Sequence, residues 1–135
     1  MSASQGEITI QSEGDLITVR LKLREAAAAL GFGATDTSRI LTACSEMAQN
    51  VLQYGGGGTM RWRAIDGDHS PGIEVQFTDS GPGIPDINLA LKEGYTTTEG
   101  AGMGLPGAKM LMDDLRIESQ VGKGTAVTLK KWRSI

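Results

Sequence analysis

Only one cysteine and one histidine occur among the 135 residues. A lone Cys44 cannot close an internal disulfide, so a packed core has to hold the fold, and a reducing compartment, the cytoplasm, is expected. Cys44 lies on an apolar helix stripe, where a packed thiol is the default. His69 sits alone in the turn-rich loop Asp66-Gly-Asp-His-Ser-Pro71, which leaves no partner for a zinc site of the usual His and Cys donors. Basic excess is lacking too. With 13 Lys and Arg against 16 Asp and Glu, the net charge is −3, and the only basic cluster is Lys130-Lys-Trp-Arg133. A nucleic-acid partner is therefore not expected. No apolar run approaches the roughly 18 residues of a membrane span. The start, Met1-Ser-Ala-Ser-Gln-Gly-Glu7, has neither the basic region nor the apolar core of a signal peptide, so no membrane association is expected.

Glycine, by contrast, is abundant, at 19 residues, and much of it falls in two segments. These are Asp79-Ser-Gly-Pro-Gly-Ile-Pro85 and Gly100-Ala-Gly-Met-Gly-Leu-Pro-Gly107. The second runs into Leu105-Pro-Gly-Ala-Lys-Met-Leu-Met112, which reads as a helix with Pro106 in its first turn. Glycines ahead of a helix N-terminus suit anions, because bare backbone N–H groups and the helix dipole can face phosphate oxygens. Gly102, Gly104 and Gly107 also satisfy a dinucleotide GxGxxG spacing. The polar Gly94-Tyr-Thr-Thr-Thr-Glu99 stands where that motif requires a buried strand, so the context is missing. No Walker A loop occurs, since Gly107 is followed by Ala108-Lys109. A mobile surface loop would be compatible with a phosphate lid, which must open and close.

Upstream, the segment from Asp36 to Tyr54 carries Ile40, Leu41, Cys44, Met47, Ala48, Val51 and Leu52 at helical spacing. Glu46 and Asn50 stand one turn apart on the opposite face, with Cβ atoms roughly 5 to 6 Å apart, so both can act on one ligand. A carboxylate can deprotonate a hydroxyl, and a neutral amide oxygen suits Mg²⁺. Taken alone, the pair also reads as two solvated polar residues. Asp79 ends the alternating run Gly72-Ile-Glu-Val-Gln-Phe-Thr-Asp79, on the face of Ile73, Val75 and Phe77. There a carboxylate needs a partner, since an unpaired buried polar group costs roughly 2 to 7 kcal/mol. The exocyclic amino group of adenine would be one. Alternatively the strand stops short and Asp79 caps the turn at Ser80-Gly-Pro-Gly83. Gly81 and Gly83 fit both readings.

The rest of the chain offers no linker long enough to divide it. About two thirds of the unfolded surface is buried at this length, and a single domain over 1–135 is expected. Ile8 and Ile10 suggest an opening strand. From Asp15 to Leu30, Ile17, Val19, Leu21 and Leu23 alternate like a strand, whereas Leu16, Val19, Leu23, Ala27 and Leu30 repeat like a helix. The alanine run decides for helix, ended by Gly31 and Gly33. Further strands are expected at Thr59 to Ile65, Gly72 to Thr78, Leu115 to Val121 and Thr125 to Lys131, the last two joined by a hairpin at Gly122-Lys-Gly124. Trp62, on a face with Met60 and Ala64, reads as a core residue. With a short helix and the lid between Asp79 and Leu105, the order gives an α+β class. The architecture is a two-layer sandwich with helices on one face of a mixed, mostly antiparallel sheet.

The ordered set Ser45-Glu-Met-Ala-Gln-Asn50, Asp79-Ser-Gly-Pro-Gly83, Gly100-Ala-Gly-Met-Gly104 and Gly122-Lys-Gly-Thr125 resembles the conserved boxes and closing strand of the GHKL ATPase superfamily, which have the Bergerat ATP-binding fold. Within it, Gly81-Pro-Gly-Ile-Pro-Asp86, Gly94-Tyr-Thr-Thr-Thr98 and Gly102-Met-Gly-Leu-Pro-Gly-Ala-Lys109 resemble the small serine kinases of bacterial partner-switching systems, stressosome switch kinases above all. The resemblance runs from about Ile8 to Trp132. It implies Glu46 as general base toward an acceptor serine or threonine, and Asn50 as the Mg²⁺ ligand. Asp79 is implied as the adenine-reading carboxylate, supported by Thr125, with Gly81 and Gly83 beneath the base. Gly100, Gly102, Met103, Gly104 and Leu105 are implied as the phosphate lid over ATP, while Lys109, just beyond it, is expected to be a solvated helix lysine.

The same resemblance implies a STAS-domain protein as substrate and a PP2C-type phosphatase, or another regulator, as the partner activated after release. An anti-sigma kinase that also holds a sigma factor is a second reading. The Leu105-Pro-Gly-Ala-Lys109 continuation is less in keeping with it. A nucleotide-gated binding module with little catalysis is a third, against which an intact Glu46 speaks. A histidine-kinase catalytic domain is disfavoured, as the chain offers no phosphoacceptor helix.

Overall fold

The computed structural model describes residues 4–53, 55–67, 70–81 and 105–133. Several expectations lie outside the described residues: Tyr54, His69, the short helix and lid between 82 and 104, and with them Gly83, Gly100, Gly102, Met103 and Gly104. In chain order the elements are β1 (Gly6–Ile10), α1 (Glu13–Ala29), α2 (Ala34–Gln53), β2 (Gly58–Asp66), β3 (Pro71–Asp79), α3 (Leu105–Leu111), β4 (Asp114–Gln120) and β5 (Gly124–Trp132). Each expected strand and helix among these residues is present, with ends shifted by a residue or two.

α1 begins where the Asp15 carboxylate accepts the backbone N–H groups of Gln11 and Ser12, at 2.8 and 3.1 Å. These bonds, the Gln11 one foremost, hold the Asp15 carboxyl below the usual carboxylate range. The helical reading of this segment holds in detail. Val19, Leu23, Ala26 and Ala27 are buried, whereas Ile17 and Leu21, which a strand would have aligned with Val19 and Leu23, are 72% and 54% exposed.

The strands form one sheet in the order β1-β2-β3-β5-β4. All four described pairings are antiparallel, so the mixed sheet anticipated from the sequence has no parallel pairing among the described residues. One face is apolar. Ile10, Met60, Trp62, Ile73, Val75, Phe77, Val127 and Leu129 are buried there. Trp62 takes the core role its alternation implied. Against this face lies α2, with α1 packed on α2 and reaching β1, and α3 packed on α2 and β4. The outer face is charged. Glu74 accepts from Arg63 at 2.9 Å and lies 3.9 Å from Lys130, while Glu7 pairs with Arg61. The Arg63 hydrogen bond holds the Glu74 carboxyl below its ordinary range. Solvent screens pairs on such a face, so they add little to stability.

One charge lies on the wrong side of this division. Lys131 follows Val127 and Leu129 on the inner face of β5 and is buried, as is Asp36 in the first turn of α2. Its Nζ is 3.9 Å from Asp36 and 3.4 Å from Asp113, and Arg39 donates to Asp36 at 3.1 Å. Asp113 also accepts the Trp132 N–H at 2.7 Å. This network ties the start of α2 to the end of β5 and to the α3–β4 junction. In the sequence Lys131 reads as part of a surface basic cluster. The alternation Val127, Leu129, Lys131 was the available sign that it points inward.

Candidate functional site

α2 delivers Glu46 and Asn50 from the turns just before its end. Ile40, Leu41, Cys44, Met47, Ala48 and Val51 are buried, so the expected stripe faces the sheet and α1. Burial pushes the Cys44 thiol far above its ordinary range, which leaves it protonated and unreactive. Glu46 is exposed, and Asn50, one turn on, is half-buried. Just before Glu46, the Ser45 hydroxyl accepts a 2.7 Å hydrogen bond from Arg20 of α1, which fixes this turn of α2 against its neighbour.

Across the sheet, Asp79 closes β3 and is half-buried. The strand does not stop short of Asp79, yet the turn-capping role expected of this residue is present. The strand includes Asp79, and its Oδ1 also accepts the Gly81 N–H at 2.9 Å, capping the turn. Directly opposite in the β3–β5 register stands Thr125. The Thr125 hydroxyl lies 2.9 Å from that of Ser119, its own register partner on β4, and the Ser119 hydroxyl donates to the Gly124 carbonyl at 3.2 Å. Three polar side chains thus end an inner layer that is apolar up to Phe77, Val127 and Ile117. Sequence reasoning missed Ser119, although its alternation with Leu115 and Ile117 places it on the inner face.

Gly124 allows the strand ends to meet this closely. Its φ is +117°, and a Cβ there would fall 2.1 Å from the Asp79 carbonyl oxygen. A shallow, open depression lies at this end of the sheet, bordered by Asp79, Ser119 and Thr125 and also by Thr78, Glu118 and Ala126, which alternate with them. Leu105 begins α3, and Lys109 on that helix is exposed, as expected. The structure therefore brings Asp79, Gly81 and Thr125 together, and carries Glu46 and Asn50 side by side on α2.

A family described as the histidine kinase-like ATPase domain matches residues 10–131. The chain belongs to this family. Among histidine kinase-like ATPase proteins, it is 39% identical over 128 residues to the serine/threonine-protein kinase RsbT of Bacillus subtilis (strain 168), covering 95% of this chain and 96% of that one. It is 36% identical over 103 residues to an anti-sigma F factor of Thermoanaerobacter sp. (strain X514), covering 72% and 71% of the two chains. In fold, it is similar to the crystal structure of the RsbU and RsbW domains of Rv1364c from Mycobacterium tuberculosis. There the TM-score is 0.67 at 24% identity, with 96% of this chain aligned to 33% of that one. The catalytic domain of the histidine kinase ThkA gives a TM-score of 0.56 at 16% identity, covering 95% and 96%. The likeness to histidine kinases is one of fold.

The described residues suit the ligands of such a domain. A carboxylate and two hydroxyls at the end of an apolar layer match a flat ring bearing one amino group. For Mg²⁺, an amide oxygen such as that of the half-buried Asn50 is a suitable hard donor. No helix among the described residues is long and apolar enough to cross a membrane.

Proposed function

We propose that the protein is a cytoplasmic serine/threonine kinase of a bacterial partner-switching system, with residues 1–135 forming one kinase domain, which uses ATP and Mg²⁺ to phosphorylate a STAS-domain protein. The observation that carries this reading is the polar set Asp79, Thr125 and Ser119 at the end of the inner sheet layer. It occurs in a chain 39% identical over 95% of its length to a serine/threonine-protein kinase.

Asp79 accepts the exocyclic amino group of adenine, Thr125 supports that contact, and Gly81 and Gly83 lie beneath the base. Gly100, Gly102, Met103, Gly104 and Leu105 cover the phosphates. Asn50 holds the metal, which would neutralise charge on the phosphate oxygens during transfer. Glu46 takes the proton of the acceptor hydroxyl as its oxygen bonds to the γ-phosphorus and the bond to ADP breaks. The new phosphate puts negative charge into the interface with the STAS protein and weakens it. The kinase is then free to engage a PP2C-type phosphatase or another regulator.

The identity to an anti-sigma F factor supports a second reading, in which the chain also holds a sigma factor. Incubation with Mg²⁺, ATP and a STAS-domain protein encoded nearby, followed by intact mass measurement and site mapping, tests the kinase activity that both readings share, and a sigma-factor binding assay separates them. A phosphoryl adduct on serine or threonine of that protein, with no sigma factor held, is expected. An adduct together with stable binding of a sigma factor would turn the reading to the second, and ATP binding without any adduct would count against both.

A further inference from the structure

Gly55 follows α2, and its N–H donates to the carbonyls of Asn50 and Val51 at 3.2 and 3.1 Å. It is therefore fastened to the same helical turn that carries Asn50. A Cβ built at Gly55 would lie 2.5 Å from Cγ, 2.6 Å from Cβ and 2.8 Å from Oδ2 of Asp79. Non-bonded carbons prefer about 3.5 to 4.0 Å, and the Asp79 Cβ is fixed by the β3 backbone, so it cannot swing aside. On the other side, the Gly81 N–H holds Oδ1 at 2.9 Å. The Asp79 side chain is thus clasped between bare backbone at Gly55 and the N–H of Gly81.

Backbone conformation does not explain a glycine at this position. Gly56 and Gly57 have φ of +73° and +106°, but Gly55 is not among the glycines with positive φ. Its missing side chain is required by the approach to Asp79.

We propose that Gly55 is a positioning residue for base recognition: by lacking a side chain it lets the end of α2 lie against Asp79 and hold the carboxylate in the rotamer that meets adenine. This rests on the assignment of Asp79 as the adenine contact. Base selectivity and the turn bearing Asn50 are then mechanically joined.

The test compares the affinity of ATP with that of purine riboside triphosphate, which lacks the exocyclic amino group, for wild type, Gly55→Ala and Gly56→Ala. Wild type should favour ATP by about tenfold or more, as befits a hydrogen bond to a charged group. Gly55→Ala should lose most of that preference through weaker ATP binding alone, leaving the analogue's affinity in place. Gly56→Ala should lower the melting temperature, because an alanine is strained at a φ of +73°, yet keep the preference, because a Cβ at Gly56 meets nothing within 4 Å and leaves Asp79 untouched. A fall in melting temperature for Gly55→Ala, or failure to fold, should be relieved when Asp79→Gly is added. Loss that persists in the double variant overturns the proposal. Equal preference in wild type and Gly55→Ala overturns it while leaving the Asp79 assignment standing. No preference in wild type removes that assignment, and this inference with it.

Discussion

Asp79 and Thr125 stand opposite each other in the antiparallel register of β3 and β5. Register is not a local property of sequence. The two residues are brought together only because β5 inserts between β3 and β4, and a one-residue slip would send either side chain to the charged outer face.

Replacing Asp79 should separate binding from folding. Asp79→Ala removes an acceptor at the strand end, outside the apolar core, together with its 2.9 Å hydrogen bond from Gly81, so the melting temperature should fall only by the few degrees that loss of about 1 kcal/mol brings. ATP affinity should fall by about 10- to 100-fold, corresponding to roughly 1.5 to 3 kcal/mol for a hydrogen bond to a charged group. Isothermal titration reads this directly. Unchanged ATP affinity in a folded variant would remove Asp79 from the site.

The buried network around Lys131 predicts the opposite behaviour. Lys131→Met keeps the volume but takes the buried Lys131 cation away from the buried Asp36 carboxylate. Breaking a buried pair costs about 3 kcal/mol, so the denaturation midpoint should drop well beyond the effect of a surface change such as Lys123→Met. ATP affinity of the folded variant should be retained. Equal midpoints for the two variants would show that the pair contributes nothing.

Acid should weaken the fold through Asp15 and Glu74. Both have folded-state values lowered from the ordinary 3.8 and 4.5, so in the acid range the unfolded chain binds more protons than the folded one. Their stabilising effect is complete above those ordinary values and is lost as pH falls through the lowered ones. Melting temperatures between pH 6 and pH 2.5 should fall in that window, and Glu74→Gln should flatten part of the fall. An unchanged profile in Glu74→Gln would deny Glu74 this role.

Much of the architecture was legible in the chain because one-sided burial leaves a period. Ile73, Val75 and Phe77 marked the inner face of β3, and the stripe from Ile40 to Val51 marked the buried side of α2. The α1 segment carried both periods, and its alanines settled the matter. What stayed hidden depends on contacts between distant residues. Ser119 became visible as part of the site only through its pairing with Thr125, and Lys131 as an interior charge only through Asp36 and Asp113. Gly55 reads in sequence as one of four consecutive loop glycines, and only the position of Asp79 sets it apart from its neighbours. Of the candidate site, Glu46, Asn50, Asp79, Gly81, Leu105 and Thr125 fall among the described residues, whereas Gly83, Gly100, Gly102, Met103 and Gly104 lie in the span that the structure does not describe.

In the proposed kinase, α2 carries a base acting in phosphoryl transfer and not merely a nucleotide contact. The decisive experiment is single-turnover transfer from ATP to a STAS-domain protein by Glu46→Gln, with ATP affinity measured alongside. Transfer should slow by about 10²- to 10⁴-fold, the range expected for loss of a positioned general base, while ATP affinity stays within about twofold of wild type, since the role proposed for Glu46 is toward the acceptor and not the nucleotide. Transfer at the wild-type rate in Glu46→Gln would rule out Glu46 as the base.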